Sequence, residues 1–246
     1  DRTTTSRNST LTFNLDDNPD YVFTSKGRLT DRGYVVEIEI PFKEIIIIDN
    51  GSTDGTPEII KEYKDHDNIK IILQEKNLGF GNSIREGFLQ SSKEFIYLQF
   101  GDLEYDIKTS FKMLRKTQEQ NLDAIFGSRL KNINNLTELY KVIVKNPTYL
   151  ATLVCTFLVN LFYNKSFTDV IGGKLYRKET VKDVLPKIYG PGFDFELVSL
   201  ICKKNLKVDE IFIDYKPREN SSDKKIKFYH MFNAIYGILK IKFFYK

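Results

Sequence analysis

Ile45-Ile46-Ile47-Ile48-Asp49-Asn50-Gly51-Ser52-Thr53-Asp54-Gly55-Thr56 is a solid apolar run that ends in an acidic, glycine-punctuated turn. Four consecutive isoleucines predict a strand covered on both faces, because a strand with one wet face alternates polar and apolar residues. Gly51 and Gly55 let the backbone turn sharply, and Asp54 or Thr56 can cap a helix that begins near Pro57. Asp49 can accept hydrogen bonds from base or ribose donors, and ligands of α/β sheets bind beyond such strand ends. Taken alone, Asp54-Gly55-Thr56 is equally an ordinary helix-capping turn.

The same alternation continues outward. Pro57 to Tyr63 reads as a helix, Ile69 to Leu73 as a strand, Asn82 to Gln90 as a helix, Phe95 to Leu98 as a strand and Thr109 to Gln118 as a helix. Ala124 to Phe126 adds another strand, Val208 to Tyr215 a late one, and Phe228 to Tyr245 an aromatic-rich helix. Apolar runs separated by amphipathic helices predict an α/β fold, mostly a parallel sheet with helices on both faces. Upstream of Glu44 the pattern is different: Leu11 to Leu15, Tyr21 to Thr24 and Tyr34 to Ile40 are short β segments, divided by turn chemistry at Asn18-Pro19-Asp20 and Asp31-Arg32-Gly33. The expected division is therefore a β-rich segment over 1–43 and an α/β domain over 44–246.

With 246 residues, 41% hydrophobic and 28% charged, the chain is long enough for one α/β domain plus a small appendage and too polar for a polytopic membrane protein. Tyr149 to Tyr163 is continuously apolar but short for a span and carries Asn160, so a buried or interfacial helix is expected. Cys155 and Cys202 form no metal or disulfide spacing, which suits a reducing, cytoplasmic setting. Asp1 to Asn14 has no apolar h-region, so no secretory signal is visible, and a fragment of a longer chain is expected. The net charge of +4 does not point to nucleic acid. Its excess lies in the tail: 203–246 holds 11 Lys or Arg against 5 Asp or Glu. An anionic ligand or lipid surface near the C-terminus fits that bias.

Three further segments carry chemistry. Asn77-Leu78-Gly79-Phe80-Gly81-Asn82-Ser83 is a glycine-containing helix entry, but Ile84 stands where a dinucleotide fingerprint needs its third glycine, which argues against a Rossmann dehydrogenase. Phe95-Ile96-Tyr97-Leu98-Gln99-Phe100-Gly101-Asp102-Leu103-Glu104-Tyr105-Asp106 is a strand that ends in alternating carboxylates. Asp102 and Glu104 can point together at one hard cation, or form a solvated acidic loop. Gly127-Ser128-Arg129 follows the next strand, and an arginine there is a phosphate ligand or a surface residue.

In this order the four segments resemble family 2 glycosyltransferases of the GT-A fold, in the dolichyl- or polyprenyl-phosphate sugar transferase branch. That family carries DDGSTDGT or DNGSTDGT, here Asp49 to Thr56; an NxGxGxA helix entry, here Asn77 to Ser83; a DADLxYDP metal motif; and GSR. The resemblance continues in Thr168-Asp169, Gly192-Phe193-Asp194-Phe195-Glu196 and Tyr215-Lys216-Pro217-Arg218 with Lys224-Lys225-Ile226. It implies a nucleotide-sugar donor held by Asp49, Asn50, Gly51, Ser52, Asp54, Asn77 and Gly79, and Mg2+ or Mn2+ on Asp102 and Glu104. It implies that Arg129, Arg218 and Lys225 face donor or acceptor phosphates. A metal and arginines would stabilise the charge that develops on a nucleotide diphosphate leaving group.

The acceptor implied is a polyprenyl phosphate, already ionised near neutrality, at the inner face of the membrane through peripheral contact. For a glycan hydroxyl acceptor instead, Asp194 or Glu196 would be the base. Two departures stand out. Phe100 occupies the position of the first metal-motif aspartate, and the family's opening strand, VVIPAYNEE-like, and its helix are absent ahead of Glu44. A nucleotide-sugar-binding protein without turnover is therefore a second expectation. Phe13 to Pro19 and Gly33 to Phe42 resemble a piece of a carbohydrate-binding family nine-like β-sandwich; a β appendage on the transferase sheet is the plainer reading of 1–43.

Overall fold

A computed structural model describes residues 43–101, 104–146, 148–182, 184, 192–216 and 230–245, and the backbone of 24–30 and 33–39. The N-terminal part contributes a hairpin, β1 (Thr24–Thr30) antiparallel to β2 (Gly33–Glu39), in register from Thr30↔Gly33 to Thr24↔Glu39. The expected Tyr34 to Ile40 strand is β2. Its partner β1 carries no apolar alternation and owes its strand form to the pairing. The expected strand over Leu11 to Leu15 lies outside the described residues.

The isoleucine run is β3 (Ile45–Asp49), joined through α1 (Thr56–Lys61) to its parallel neighbour β4 (Ile69–Leu73), with Asp49↔Leu73 closing the register. The helical crossover is what lets two consecutive strands run parallel. A second sheet follows from α2 (Phe80–Gln90), β5 (Phe95–Leu98), α3 (Thr109–Gln120), β6 (Ala124–Ser128), α4 (Leu136–Lys145), α5 (Thr148–Tyr163), β7 (Lys174–Arg177), α6 (Lys178–Val181), α7 (Phe193–Lys203), β8 (Val208–Phe212) and α8 (His230–Phe244). Its strand order is β5-β7-β6-β8, with β6 and β8 parallel and β7 antiparallel to both neighbours.

Alternation along β6 and β7 sends side chains to two cores. Ala124, Phe126 and Tyr176 join Phe88 of α2, Val159 of α5, Phe193, Leu197 and Ile201 of α7 and Ile238 of α8. Ile125 and Leu175 face the other way, onto Met113 of α3 with Leu122 and Ile213. All of β6 is buried, as its position inside the sheet requires.

β3 and β5 are different. Among the described residues β3 pairs only with β4, and β5 only with β7, so each shows one unbonded edge. Their apolar residues are half-buried rather than buried. What joins the two sheets is α2. Its Gly87 lies so close to β3 that a Cβ there would sit 3.0 Å from Ile48 Cδ1, while Phe88 packs on Tyr176 of the second sheet at 5.5 Å between rings. At the strands' opposite ends Ser92 N–H donates to Glu44 Oε2 at 2.7 Å.

The long apolar stretch is α5, and Asn160 explains how it tolerates an amide: its Oδ1 accepts from Phe167 N–H at 2.9 Å and its Nδ2 donates to Phe167 O at 2.8 Å. A half-buried amide satisfied on both sides costs little. No helix among the described residues is long and apolar enough to cross a membrane. Both cysteines are buried thiols that burial pushes up to about 12.

Candidate active site

The strand ends of β3 and β4 converge in two interlocked turns. Asp49, the last residue of β3, is buried, and its Oδ2 accepts from Ser52 N–H at 3.0 Å. Gly51 has φ +72 and lies against the backbone of Lys76 and Asn77, where a Cβ would come within 2.4 Å of the Lys76 carbonyl carbon. Only glycine meets both demands. Asn50 then clamps the second turn, donating from Nδ2 to Asn77 Oδ1 at 3.1 Å and accepting Leu78 N–H on Oδ1 at 2.9 Å. Asn77 Oδ1 also accepts Gly79 N–H at 2.9 Å. Asp49, Asn50, Gly51, Ser52, Asn77 and Gly79 are thus one rigid unit. Asp54 is spent on the start of α1, where its Oδ1 accepts from Thr56 N–H at 3.2 Å and Thr56 Oγ1 at 2.6 Å; Gly55 is the residue at the cap.

The second cluster gathers at the ends of β5 and β6. Lys216 N–H donates to Glu104 O at 2.9 Å and Tyr105 bridges Tyr215, so the acidic loop is stitched to the segment after β8. The Glu104 carboxylate is hydrogen-bonded to the Tyr215 phenol, which burial first, and then Glu104, push up to about 12.

Arg129, expected to face a phosphate, is paired inside the protein with Asp169. Its Nε lies 2.6 Å from Asp169 Oδ2, its Nη2 3.2 Å from Oδ1, and its own N–H donates to Oδ2 at 3.2 Å. Its guanidinium lies 4.6 Å from the Tyr149 ring centroid and 5.4 Å from that of Tyr215. Burial opposes the charge on each partner and the pairing outweighs it, holding Asp169 below and Arg129 above their ordinary values. Nε and Nη2 of the guanidinium fork are engaged inside the protein.

Asp194 opens α7 and pairs with Lys174 of β7, Nζ to Oδ1 at 2.8 Å. Glu196, two residues further into α7, lies against Gly237 of α8. Asp102, Arg218 and Lys225 lie outside the described residues.

Sequence reasoning passed over Tyr149 and Lys174, and it named Asp169 without a role. An acid inside Phe167-Thr168-Asp169-Val170-Ile171 and a lysine between Gly173 and Leu175 are the signals that mark both charges as internal. The described residues do not make a metal site. No group of three or more His, Cys, Asp or Glu side chains converges among them, Phe100 offers a phenyl where a carboxylate is needed, and Glu104 is turned to Tyr215.

Comparison with known proteins places this geometry. The pattern of glycosyl transferase family 2 matches residues 34–185. A poly-beta-1,6-N-acetyl-D-glucosamine synthase of Staphylococcus epidermidis is 36% identical over 42% of this chain, and the match spans 25% of that protein's length. A dolichyl-phosphate beta-glucosyltransferase of Dictyostelium discoideum is 24% identical over 82% of this chain and 63% of its own length. Mannosyltransferase PcManGT from Pyrobaculum calidifontis, solved in complex with GDP-Man and Mn2+, superposes with a TM-score of 0.50 at 12% identity, covering 72% of this chain and 49% of that one. The fold is GT-A-like. With a family pattern running across 34–185, more than half of its length, the chain belongs to glycosyl transferase family 2.

Proposed function

We propose that this chain transfers a hexose, with inversion, from a nucleotide sugar to a polyprenyl phosphate at the inner face of a membrane. The observation that carries the acceptor is the extent of similarity. The likeness to a dolichyl-phosphate glucosyltransferase runs over 82% of the chain, enough to take in α4 and α5, whereas the likeness to a polysaccharide synthase stops at 42%. The interlocked Asp49–Ser52 and Asn77–Gly79 turns hold the nucleotide, and their rigidity lowers the ordering cost of binding.

The helices beyond them support the lipid side. α4 exposes Leu136, Tyr140 and Val144, every fourth residue and so on one face. α5 exposes Phe157 and Leu161, and α8 exposes Phe232, Tyr236, Phe243 and Phe244. α5 packs on both other helices. Amphipathic helices of this kind lie in the membrane interface, and the basic tail adds attraction to anionic lipid. A lipid phosphate is an ionised nucleophile and needs no strong base, so Asp194 is free for another task. Arg129, Arg218 and Lys225 are the cations assigned to donor or acceptor phosphate in this reading.

Incubation with UDP- and GDP-hexoses, a polyprenyl phosphate, and Mg2+ or Mn2+ tests the reading, and a lipid-linked hexose is the expected product. No such product with any donor overturns it. A glycosylated oligosaccharide acceptor in place of lipid phosphate would move the chain to polysaccharide synthesis.

Phe100 favours a second reading, donor binding without turnover. Calorimetry separates the two: metal-independent donor binding with no product supports the second, and Phe100→Asp is then expected to bring metal-dependent binding.

A further inference from the structure

Lys174 is the one residue of the central strands whose chemistry contradicts its place. It sits in β7 opposite Leu98 of β5 and Phe126 of β6, in the middle of the four-stranded sheet, and is 1% exposed. A buried ammonium is costly unless its donors are matched. Lys174 Nζ donates to Ile171 O at 3.0 Å and Gly172 O at 3.2 Å, and lies 2.8 Å from Asp194 Oδ1. Two of its hydrogens meet the carbonyls, and the contact with Asp194 Oδ1 is an ion pair by distance whose alignment is not that of a hydrogen bond.

Those acceptors belong to different parts of the site. Ile171 and Gly172 follow Asp169, the partner of Arg129, on a loop pressed so tightly to β6 that a Cβ at Gly172 would lie 2.2 Å from Gly127 O. Asp194 opens α7, and its neighbour Phe193 packs on the donor-side turn: a Cβ at Gly81 would meet Phe193 at 3.0 Å, and the Phe80 and Phe193 rings are 6.0 Å apart. Lys174 therefore ties the start of α7 to the Asp169 loop at the strand ends from which both the acidic loop and Gly127-Ser128-Arg129 emerge. Asp194 Oδ1 is sealed from solvent, yet the side chain is 18% exposed, which leaves that exposure to its other atoms, Oδ2 among them.

We propose that Lys174 is a positioning residue that fixes Asp194 to accept hydrogen bonds from hydroxyl groups of the donor's sugar. The proposal rests on the transferase reading. A carboxylate held by a buried cation on one oxygen is pre-oriented on the other, and sugar hydroxyls are its natural donors. The nucleotide part of the donor binds elsewhere, on the Asp49 and Asn77 turns, so sugar and nucleotide affinities are separable.

The test is calorimetric and needs no turnover. UDP-glucose against UDP, and GDP-mannose against GDP, are titrated into the full chain and into Lys174→Met, Lys174→Arg, Asp194→Asn and the Lys174→Met/Asp194→Asn double variant. The sugar form that matches the site is expected to bind about ten-fold tighter than its parent nucleotide. Asp194→Asn and Lys174→Met each remove that increment and leave the parent nucleotide's affinity unchanged. The double variant loses no more than either, and Lys174→Arg recovers part of the increment. An increment retained in Lys174→Met, or a further loss in the double variant, overturns the proposal. If Lys174→Met does not fold, Asp194→Glu decides: it keeps the charge and displaces the outer oxygen, so an undiminished increment overturns the assignment. An unsubstituted chain that binds neither nucleotide nor sugar form sinks the transferase reading and this assignment with it. A chain that binds the donor but never glycosylates lipid phosphate sinks only the acceptor.

Discussion

Single side chains set the pH behaviour. Burial would raise the Glu44 carboxyl, but Lys70 at 2.8 Å and the Ser92 N–H and hydroxyl overcome it and hold it down at about 2. Its folded value is depressed, so its stabilisation is complete above the unfolded glutamate value of about 4.3 and is lost as pH falls toward 2. Glu44→Gln should therefore unfold more easily than the parent at pH 6, with the gap closing below pH 2 in an acid titration followed by circular dichroism. Glu196 has the opposite sign. Burial raises it and Lys240 only partly offsets this, so ionisation works against the fold once pH exceeds the unfolded value. Glu196→Gln should raise Tm by a few degrees at neutral pH and change nothing at pH 3. For Arg129 and Asp169, removing one partner strands a buried charge at about 3–5 kcal/mol. Asp169→Asn should show that loss in urea unfolding. Donor affinity should hold in the fraction that stays folded, because the pair is internal to the protein.

At the scale of elements, the sequence was most readable where periodicity is unopposed. The isoleucine run, the helix after Asn77 and the helix after Thr109 stand where their patterns put them, within a few residues at each end. β7 was not legible, because a short Lys-Leu-Tyr-Arg strand with charged ends has no strand signature. It becomes central only because Lys174 finds Asp194 and two carbonyls, and Arg177 finds Glu94 and Asn121. β1 was hidden for a related reason, its strand form being conferred by a partner rather than by its own residues. In the candidate site, the turns at Gly51 and Gly79 were readable from their glycines. The Arg129–Asp169 pairing was not, since it joins residues forty apart and nothing in Gly-Ser-Arg reveals an internal partner. The backbone approach at Gly172 gives this scale its own prediction. Gly172→Ala places a methyl against the Gly127 carbonyl as well as Ile213 Cδ1, and the backbone carbonyl cannot yield as a side chain can. A cost of at least about 1–3 kcal/mol is expected in denaturant unfolding, against little for Gly101→Ala, which meets open space.

For the molecule as a whole, the exposed apolar faces of α4, α5 and α8 predict binding to lipid vesicles. Sedimentation with vesicles containing anionic lipid should carry the chain down. Tyr140→Ser with Phe157→Ser should weaken this by about ten-fold, given about 1.5–3 kcal/mol for each large apolar side chain fully withdrawn from water. Cosedimentation unaffected by those changes would place the membrane contact elsewhere. The two sheets raise a different matter. Among the described residues, β3, α1 and β4 form a layer whose only inter-strand bonds are with each other, and α2 fastens it to the rest through Gly87 and Phe88. Such a layer is a separate cooperative unit, and units with fewer buried contacts open first. Amide hydrogens of Ile46 to Ile48 should then exchange with solvent deuterium sooner than those of Ile125 to Gly127. The turn that carries Asp49 rides on the layer that breathes, so occupancy of that turn should slow the exchange across β3 and make nucleotide the clasp that closes the molecule.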